Sequence, residues 1–395
     1  MKCFSNQYSV VIVANYLPDC QYSMLSHSLL VKFLLDKADI PSIIIRPRNC
    51  VGKLSRYFPK FEKLFGYIDK FLLFPLELLF VRFTSGRFGV FHIIDHSNSL
   101  YSFVLSGHPH VLTCNDLLAI KSARGCFPDN PVKFSGKLLQ KIIVLGLNHC
   151  KNILCISNKT LVDLSFVLNK PTSSFDVTLL PLTYPFEPLS KSDCIRILSQ
   201  QKLVAQLLPE SGFILHVGGQ IWYKNRLGLC QIYKRYVERL AGMSCQPLVL
   251  AGKSPSGDLQ KFVQANRHLD IRFIANPSNE ELNALYSLAT VLFFPSIEEG
   301  FGWPILEAMS CGCPVITNSK PPMTEVGGDA AVYVDITSVD AAANTLHDVI
   351  QWSDHFRASQ IAKCLLNAKR FDSDIYFEQL LSAYTRASNQ SHLTE

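Results

Sequence analysis

The sequence predicts an α/β protein built from two doubly wound parallel-sheet domains, one after the other along 395 residues. Three observations predict it. Short runs that are apolar throughout recur between longer amphipathic stretches, the mark of strands buried on both faces of a helix-covered parallel sheet. The series runs to about residue 180, breaks off and restarts. The length suits two domains, and a composition that is 48% apolar gives each a core to bury.

The first series places strands at Val10–Ala14, Ser42–Ile45, Val90–Ile94, Val111–Cys114, Ile153–Ile156 and Thr178–Leu180, with helices such as Met24–Leu35 and Ser135–Leu147 between them. The segment Pro181–Gly212 opens PLTYPFEPLSKSD, where prolines and polar residues end the pattern and mark a boundary. The second series places strands at Phe213–Val217, Leu248–Ala251, Ile271–Ile274, Val291–Phe294, Val315–Thr317 and Val332–Val334, with helices such as Arg226–Leu240 and Glu280–Leu288. Domains are therefore expected over residues 1–190 and 191–375, followed by a terminal segment, 376–395. Ligands of open parallel sheets sit beyond the carboxyl ends of the strands, so two such domains facing each other would hold a ligand in the cleft between them.

A net charge of +6 is too weak to argue for nucleic acid. Residues 1–190 carry 20 Lys and Arg against 12 Asp and Glu, and the remainder is near balance. That asymmetry fits an anionic partner on the first half, a membrane surface or a phosphorylated acceptor, and fits a scattered solvated surface equally well. The 13 cysteines are spread singly, with no CxxC pair and no zinc spacing, and Cys311 and Cys313 merely flank a glycine. Reduced, buried thiols in a cytoplasmic protein are expected. Ser5, Asn6 and Gln7 interrupt any signal-peptide pattern. The longest apolar run, Phe71–Phe83, is too short to span a bilayer and contains Glu77 and Arg82. The stretch Pro59–Phe83 mixes Lys with Phe and Leu and reads alike as a membrane-interface helix or as one packed on a sheet.

The most informative string is SIEEGFGWPILEAMSCGCPVI, Ser296–Ile316. It follows a buried strand with a glycine loop, then a helix with Pro304 in its first turn, a stop at Gly312 and a new strand. Gly300 and Gly302 let backbone N–H groups approach a ligand closely, and the helix start offers further unpaired N–H groups. Glu307, expected in the first helical turn, can accept both hydroxyls of a ribose, and Glu299 those of a second sugar. Either glutamate alone would read as a capping or solvated residue; the whole string is what argues for a site. A second candidate site lies in HVGGQIWYKNRLG, His216–Gly228, where a strand reaches Gly218 and Gly219 and Lys224 opens the next helix. A lysine there neutralises a diphosphate leaving group, or is simply solvated at a helix start.

The string Phe294–Ile316 resembles the signature of the retaining GT-B glycosyltransferases of family four, with two glutamates seven residues apart in an EGFGxPxxEAMxxGxPV context. The resemblance implies the GT-B fold: two Rossmann-like domains across a cleft, the first for the acceptor and the second for a nucleoside-diphosphate sugar. Residues Tyr376–Ala387 would then form a helix crossing back to the first domain. It implies donor contacts from Gly218, Gly219, Lys224, Asn225, Arg226, Glu299, Gly300, Phe301, Gly302 and Glu307, with Glu299 at the sugar and Glu307 at the ribose. It implies no metal and no bound cofactor.

Three departures stand out. The family has an Arg a few residues before the lysine, where this chain has Gly219, Gln220 and Ile221, which leaves Arg226 as the neighbouring candidate. Relatives often read HD where this chain reads Asn115–Asp116, placed here with Lys224 and Glu299 among the catalytic candidates; an Asn-Asp helix cap reads equally well. The Gly-rich first turn of relatives is replaced by ANYLPDCQYSM, whose Asp19, Gln21 and Ser23, with Asp95 and His96 of HIIDHSNS, are candidates for the acceptor side.

The expected activity is transfer of a UDP- or GDP-linked hexose to a hydroxyl acceptor, a glycan, glycolipid or small molecule, in bacterial surface polysaccharide or glycolipid synthesis. It would take place in the cytoplasm, with peripheral membrane contact through the basic first half and no nucleic-acid partner. A catalytically weak homologue that binds a nucleotide sugar or a partner protein is the alternative, motivated by the missing Arg and His. An epimerase of the same double fold would lack the EGFG–EAM string, and a dehydrogenase would need a GxGxxG after the first strand.

Overall fold

A computed structural model describes residues 9–84, 89–199 and 212–392. The start of the chain with Ser5, Asn6 and Gln7, and residues 200–211 of the segment expected as the boundary, lie outside the described residues. The chain divides into two compact units, one of Met1–Thr183 with Ser373–Glu395, the other of Tyr184–Asp372.

The first unit holds a six-stranded parallel sheet. Its strands are β1 (Ser9–Val13), β2 (Ser42–Ile45), β3 (Gly89–Ile93), β4 (His110–Cys114), β5 (Ile153–Cys155) and β6 (Asp176–Val177). Their spatial order is β2-β1-β3-β4-β5-β6. Val11, Val13, Phe91, Ile93 and Leu112 on the strands pack with Phe74, Leu78, Ile143 and Leu147 of the covering helices. The expected strand Thr178–Leu180 is corrected to Asp176–Val177: Thr178 makes one more bond, its N–H to the Cys155 carbonyl, at the sheet edge before Pro181.

The second unit repeats the plan with β7 (Ile214–Gly218), β8 (Leu248–Gly252), β9 (Ile271–Ala275), β10 (Val291–Phe294), β11 (Val315–Asn318) and β12 (Val332–Val334), again all parallel. Their order is β12-β11-β10-β7-β8-β9. The inner strands β8 and β10 are apolar along their length because helices cover both faces, whereas the edge strand β9 carries Arg272, paired with Asp270. The helix Lys191–Ser199 lies in the stretch read as linker; nearby, the Glu187 and Leu189 N–H groups bond to Asn283 and Ser287 of the helix Asn279–Leu288.

Strand order fixes where each sheet can hold a ligand. In the first unit the chain winds outward from β1 to β2 in one direction and from β3 to β6 in the other, so the switch point is the β1/β3 pair. In the second unit it is the β7/β10 pair. At such a point the flanking connections diverge and leave a crevice at the carboxyl ends of the two strands.

Candidate functional site

At the β7/β10 switch point the loops after both strands meet. The loop after β10 is tied down first: the Ile297 N–H donates to the Tyr223 carbonyl (2.8 Å), and Asn318 Nδ2 donates to the Ser296 carbonyl (3.1 Å). This brings Glu299 to Lys224, Nζ to Oε1 2.6 Å, an ion pair whose side chains are only 14% and 9% exposed. Lys224 Nζ also sits 4.9 Å from the centre of the Phe294 ring. Lys224 stands in a 3-10 turn, Trp222–Lys224, ahead of the helix Arg226–Arg239 rather than opening it, because Asn225 between them adopts a left-handed conformation, φ 52°. A Cβ on Gly218 would crowd His216 Nε2 at 3.2 Å and stand in ordinary contact with Lys224 Cδ at 3.5 Å, so the lysine stem lies close along the strand end.

Gly302, φ 110°, caps the helix Trp303–Ser310, and Gly312, φ 73°, follows its end. Phe301 is buried against Trp303 and Phe371. Glu307 is the fifth residue of this helix, one turn later than its expected place, because the helix begins at Trp303 and Pro304 is its second residue. There Glu307 accepts a hydrogen bond from Tyr286 Oη (2.7 Å). Burial pushes its carboxyl up to about 7, against the pull of that bond and of Lys224.

Arg226 does not join this group. Its Nη1 donates to the Lys253 carbonyl (2.6 Å), and its guanidinium lies 6.0 Å from the centre of the Phe273 ring, on the β8/β9 side of β7. Lys224 reaches the other way, toward β10. Gln220 likewise turns to the Ser256 carbonyl, and Gly219 has space around it.

The switch point of the first unit carries its own polar centre. Asn15, after β1, donates to Asp95, after β3, at 2.6 Å. Asp95 also receives Ser97 Oγ at 2.6 Å, and His96 Nδ1 lies 3.1 Å from its other oxygen. Burial raises the Asp95 carboxyl, yet the His96, Ser97 and Asn15 bonds outweigh it and hold the group well below its ordinary range. Burial lowers His96, and Asp95 more than reverses this. Asn115 joins by donating to the Ile94 carbonyl (3.1 Å), whereas Asp116 accepts from the Leu118 N–H (2.9 Å) as a local cap. Gln21 accepts from Asn15 and lines a cavity of about 100 Å³ with Tyr16, Tyr22 and Arg46. Asp19 instead pairs with Lys70 (2.8 Å), and Ser23 is exposed.

Sequence reasoning passed over Tyr286, Phe294, His216 and Asn15. His216 was visible as a polar residue inside an apolar strand; it is buried, bonded to the Phe293 carbonyl (3.1 Å), and burial lowers it to about 3. Tyr286 had no local signal, since its partner stands 21 residues away. Among the described residues, no three His, Cys, Asp or Glu side chains gather as metal ligands.

Comparison with known proteins points one way. A family profile described as glycosyl transferases group 1 matches residues 202–363. The O-antigen chain mannosyltransferase B of Escherichia coli is 30% identical over 321 residues, 78% of this chain and 80% of that protein. The O-antigen chain mannosyltransferase RfbU of Salmonella typhimurium is 25% identical over 57% of this chain and 59% of its own length. Among solved structures, Anabaena HepE in complex with UDP and glucose superposes with a TM-score of 0.67 at 16% identity, covering 96% of this chain and 99% of that one. A sucrose-phosphate synthase from Thermosynechococcus elongatus does so at 0.68 and 16%, covering 96% and 98%. At such identities these likenesses show the fold, which is GT-B.

Proposed function

Because the chain belongs to the glycosyl transferases of group 1, we propose that this nucleotide-sugar-dependent enzyme transfers a hexose, in the first instance mannose, with retention of configuration to a hydroxyl of a surface polysaccharide or its glycolipid precursor. Mannose and polysaccharide are suggested by the O-antigen mannosyltransferases it is similar to. In this reading the second unit takes the donor, the first unit takes the acceptor, and neither a metal ion nor a bound cofactor takes part.

The observation that carries the reading is the Lys224–Glu299 pair at the β7/β10 switch point, 2.6 Å apart, with Gly300 and Gly302 beside it. Lys224 would neutralise the departing diphosphate in a site where Phe294 limits water. Glu299 holds the lysine in place and would accept sugar hydroxyls. Glu307 would accept the two ribose hydroxyls, the role its carboxylate fits and a proton would spoil. In the step proposed, the bond from the sugar carbon to the phosphate oxygen breaks and the acceptor oxygen bonds on the same face. The acceptor proton passes to the leaving phosphate. The Asp95–His96–Asn115 centre would order the acceptor.

The test is incubation with UDP- and GDP-linked hexoses and a mannose-containing acceptor, following release of nucleoside diphosphate and reading the product anomer by NMR. A mannoside of the donor's configuration is expected. An inverted anomer would refute retention, and release from glucose donors alone would refute mannose.

A further inference from the structure

We propose that residues 51–84 of the first unit form a surface that docks on an anionic lipid bilayer. This stretch consists of two 3-10 turns, Val51–Arg56 and Pro59–Phe61, a helix Glu62–Ile68, a π turn Asp69–Leu73 and a helix Phe74–Thr84. The last helix has two unlike faces. Phe74 and Leu78 are buried in the core. Leu76, Phe80 and Phe83, spaced by four and three residues and so on one stripe, are 62%, 68% and 74% exposed. In the preceding turns Tyr57, Phe58, Phe61 and Leu64 are exposed as well. So many large apolar side chains exposed along one continuous stretch of chain are more than the scatter of an ordinary surface.

The charges select the occupant. Lys53, Arg56, Lys60 and Lys63 are exposed among these side chains and have no ion-pair partner among the described residues. The acids are mostly withdrawn. Asp69 is buried, accepting the Cys50, Val51 and Gly52 N–H groups and Tyr16 Oη, and Glu77 pairs with Arg48 at 3.1 Å. Only Glu62 is left among the lysines. Asp69 thereby fastens the 50–52 turn to the helical segment, so the surface is displayed on a rigid support. A second copy docking by two-fold symmetry would set these cations against themselves. Lysines interleaved with aromatic and leucine tips are what a bilayer interface with anionic headgroups accommodates. Among the described residues no helix is long and apolar enough to cross a membrane.

The experiment is co-sedimentation of the full chain with vesicles of phosphatidylglycerol and phosphatidylethanolamine, and with neutral phosphatidylcholine vesicles, at low and high salt. Each cation near an anionic surface strengthens binding roughly fivefold, so Lys60→Glu with Lys63→Glu should weaken binding at least tenfold. Phe80→Ser with Phe83→Ser should weaken it on all vesicles. Both pairs are exposed, so melting temperature should not move, and either pair suffices if the other fails to fold. Absence of wild-type binding to the anionic vesicles would overturn the proposal. So would binding that ignores both variants, or a dimer seen by light scattering that Phe80→Ser with Phe83→Ser dissociates while vesicles stay bare.

Discussion

At the scale of single residues, Lys224 and Glu299 matter both to the fold and to the proposed chemistry, and their variants can separate the two. Both side chains are largely buried, so removing one partner strands the other's charge, at a cost of about 3–5 kcal/mol. Lys224→Met and Glu299→Gln should each lower stability in urea denaturation. The double variant should recover most of that loss while its kcat stays ~100-fold or more below wild type. A double variant with near-normal turnover would remove Lys224 from the chemistry. Glu307 yields a pH prediction. Its carboxyl is pushed up to about 7, and the ribose diol needs the ionised form as acceptor. Nucleotide affinity should therefore rise with pH through about 7 and be weaker at pH 6, measured by calorimetry; Glu307→Gln should abolish that dependence. The shift itself could not be read from sequence, because it comes from burial beneath neighbours that the string does not name.

At the scale of elements, the β7/β8 pairing shows how backbone geometry supports the site. Gly252, at the end of β8, has φ 131°, and a Cβ there would lie 2.3 Å from the Gly218 carbonyl oxygen. Gly218 in turn is where β7 ends, six residues before Lys224. Gly252→Ala should cost about 1–3 kcal/mol in backbone strain, with a further loss from the clash, and should weaken nucleotide binding. Gly242→Ala, at φ 91° with nothing within 4 Å, carries strain without a clash and is the control. Equal losses for the two variants in urea midpoint would mean that strand spacing does not matter. Most elements were legible because local physics sets them. The helix Asn279–Leu288 announces itself by Ser278 and Glu281, which form a reciprocal capping box. The two-residue edge strand β6 was misplaced because a strand paired on one side only carries little apolar signal.

At the scale of the whole molecule, the helix Ser373–His392 clusters with the first unit although the whole second unit separates it from the rest of that unit in sequence. Tyr376 and Tyr384, two turns apart on one face, bond to buried His27 and His92, each at 2.8 Å. Burial lowers His27 to about 4 and drives His92 down as well. At these two histidines the unfolded chain therefore binds more protons than the native one below pH 6.5, and stability is lost as pH falls, for His27 by about 1.4 kcal/mol per pH unit down to about 4, with His92 acting in the same direction. His96, raised by Asp95, has the opposite sign, and its window lies above 6.5. The melting temperature of the first unit should drop from pH 6.5 to 5, and His27→Gln should make the drop shallower. A flat wild-type profile would contradict this.

The sequence by itself determined the class of the protein. Apolar runs mark the parallel strands, because strands covered on both faces have no polar side to alternate with. The EGFG–EAM string marks the β10 loop and its helix, because glycines and a proline are demanded there by local backbone geometry. Only the tertiary structure decided which residues meet. Lys224 and Glu299 are 75 residues apart, and Asn15 and Asp95 are 80 apart. Each pair forms because winding reverses between β7 and β10 and between β1 and β3. It is likewise strand order that sends Arg226 to the Lys253 carbonyl beside β8, away from Lys224. Strand order comes from packing helices over the whole sheet, a property of all the segments together that no single stretch of residues carries.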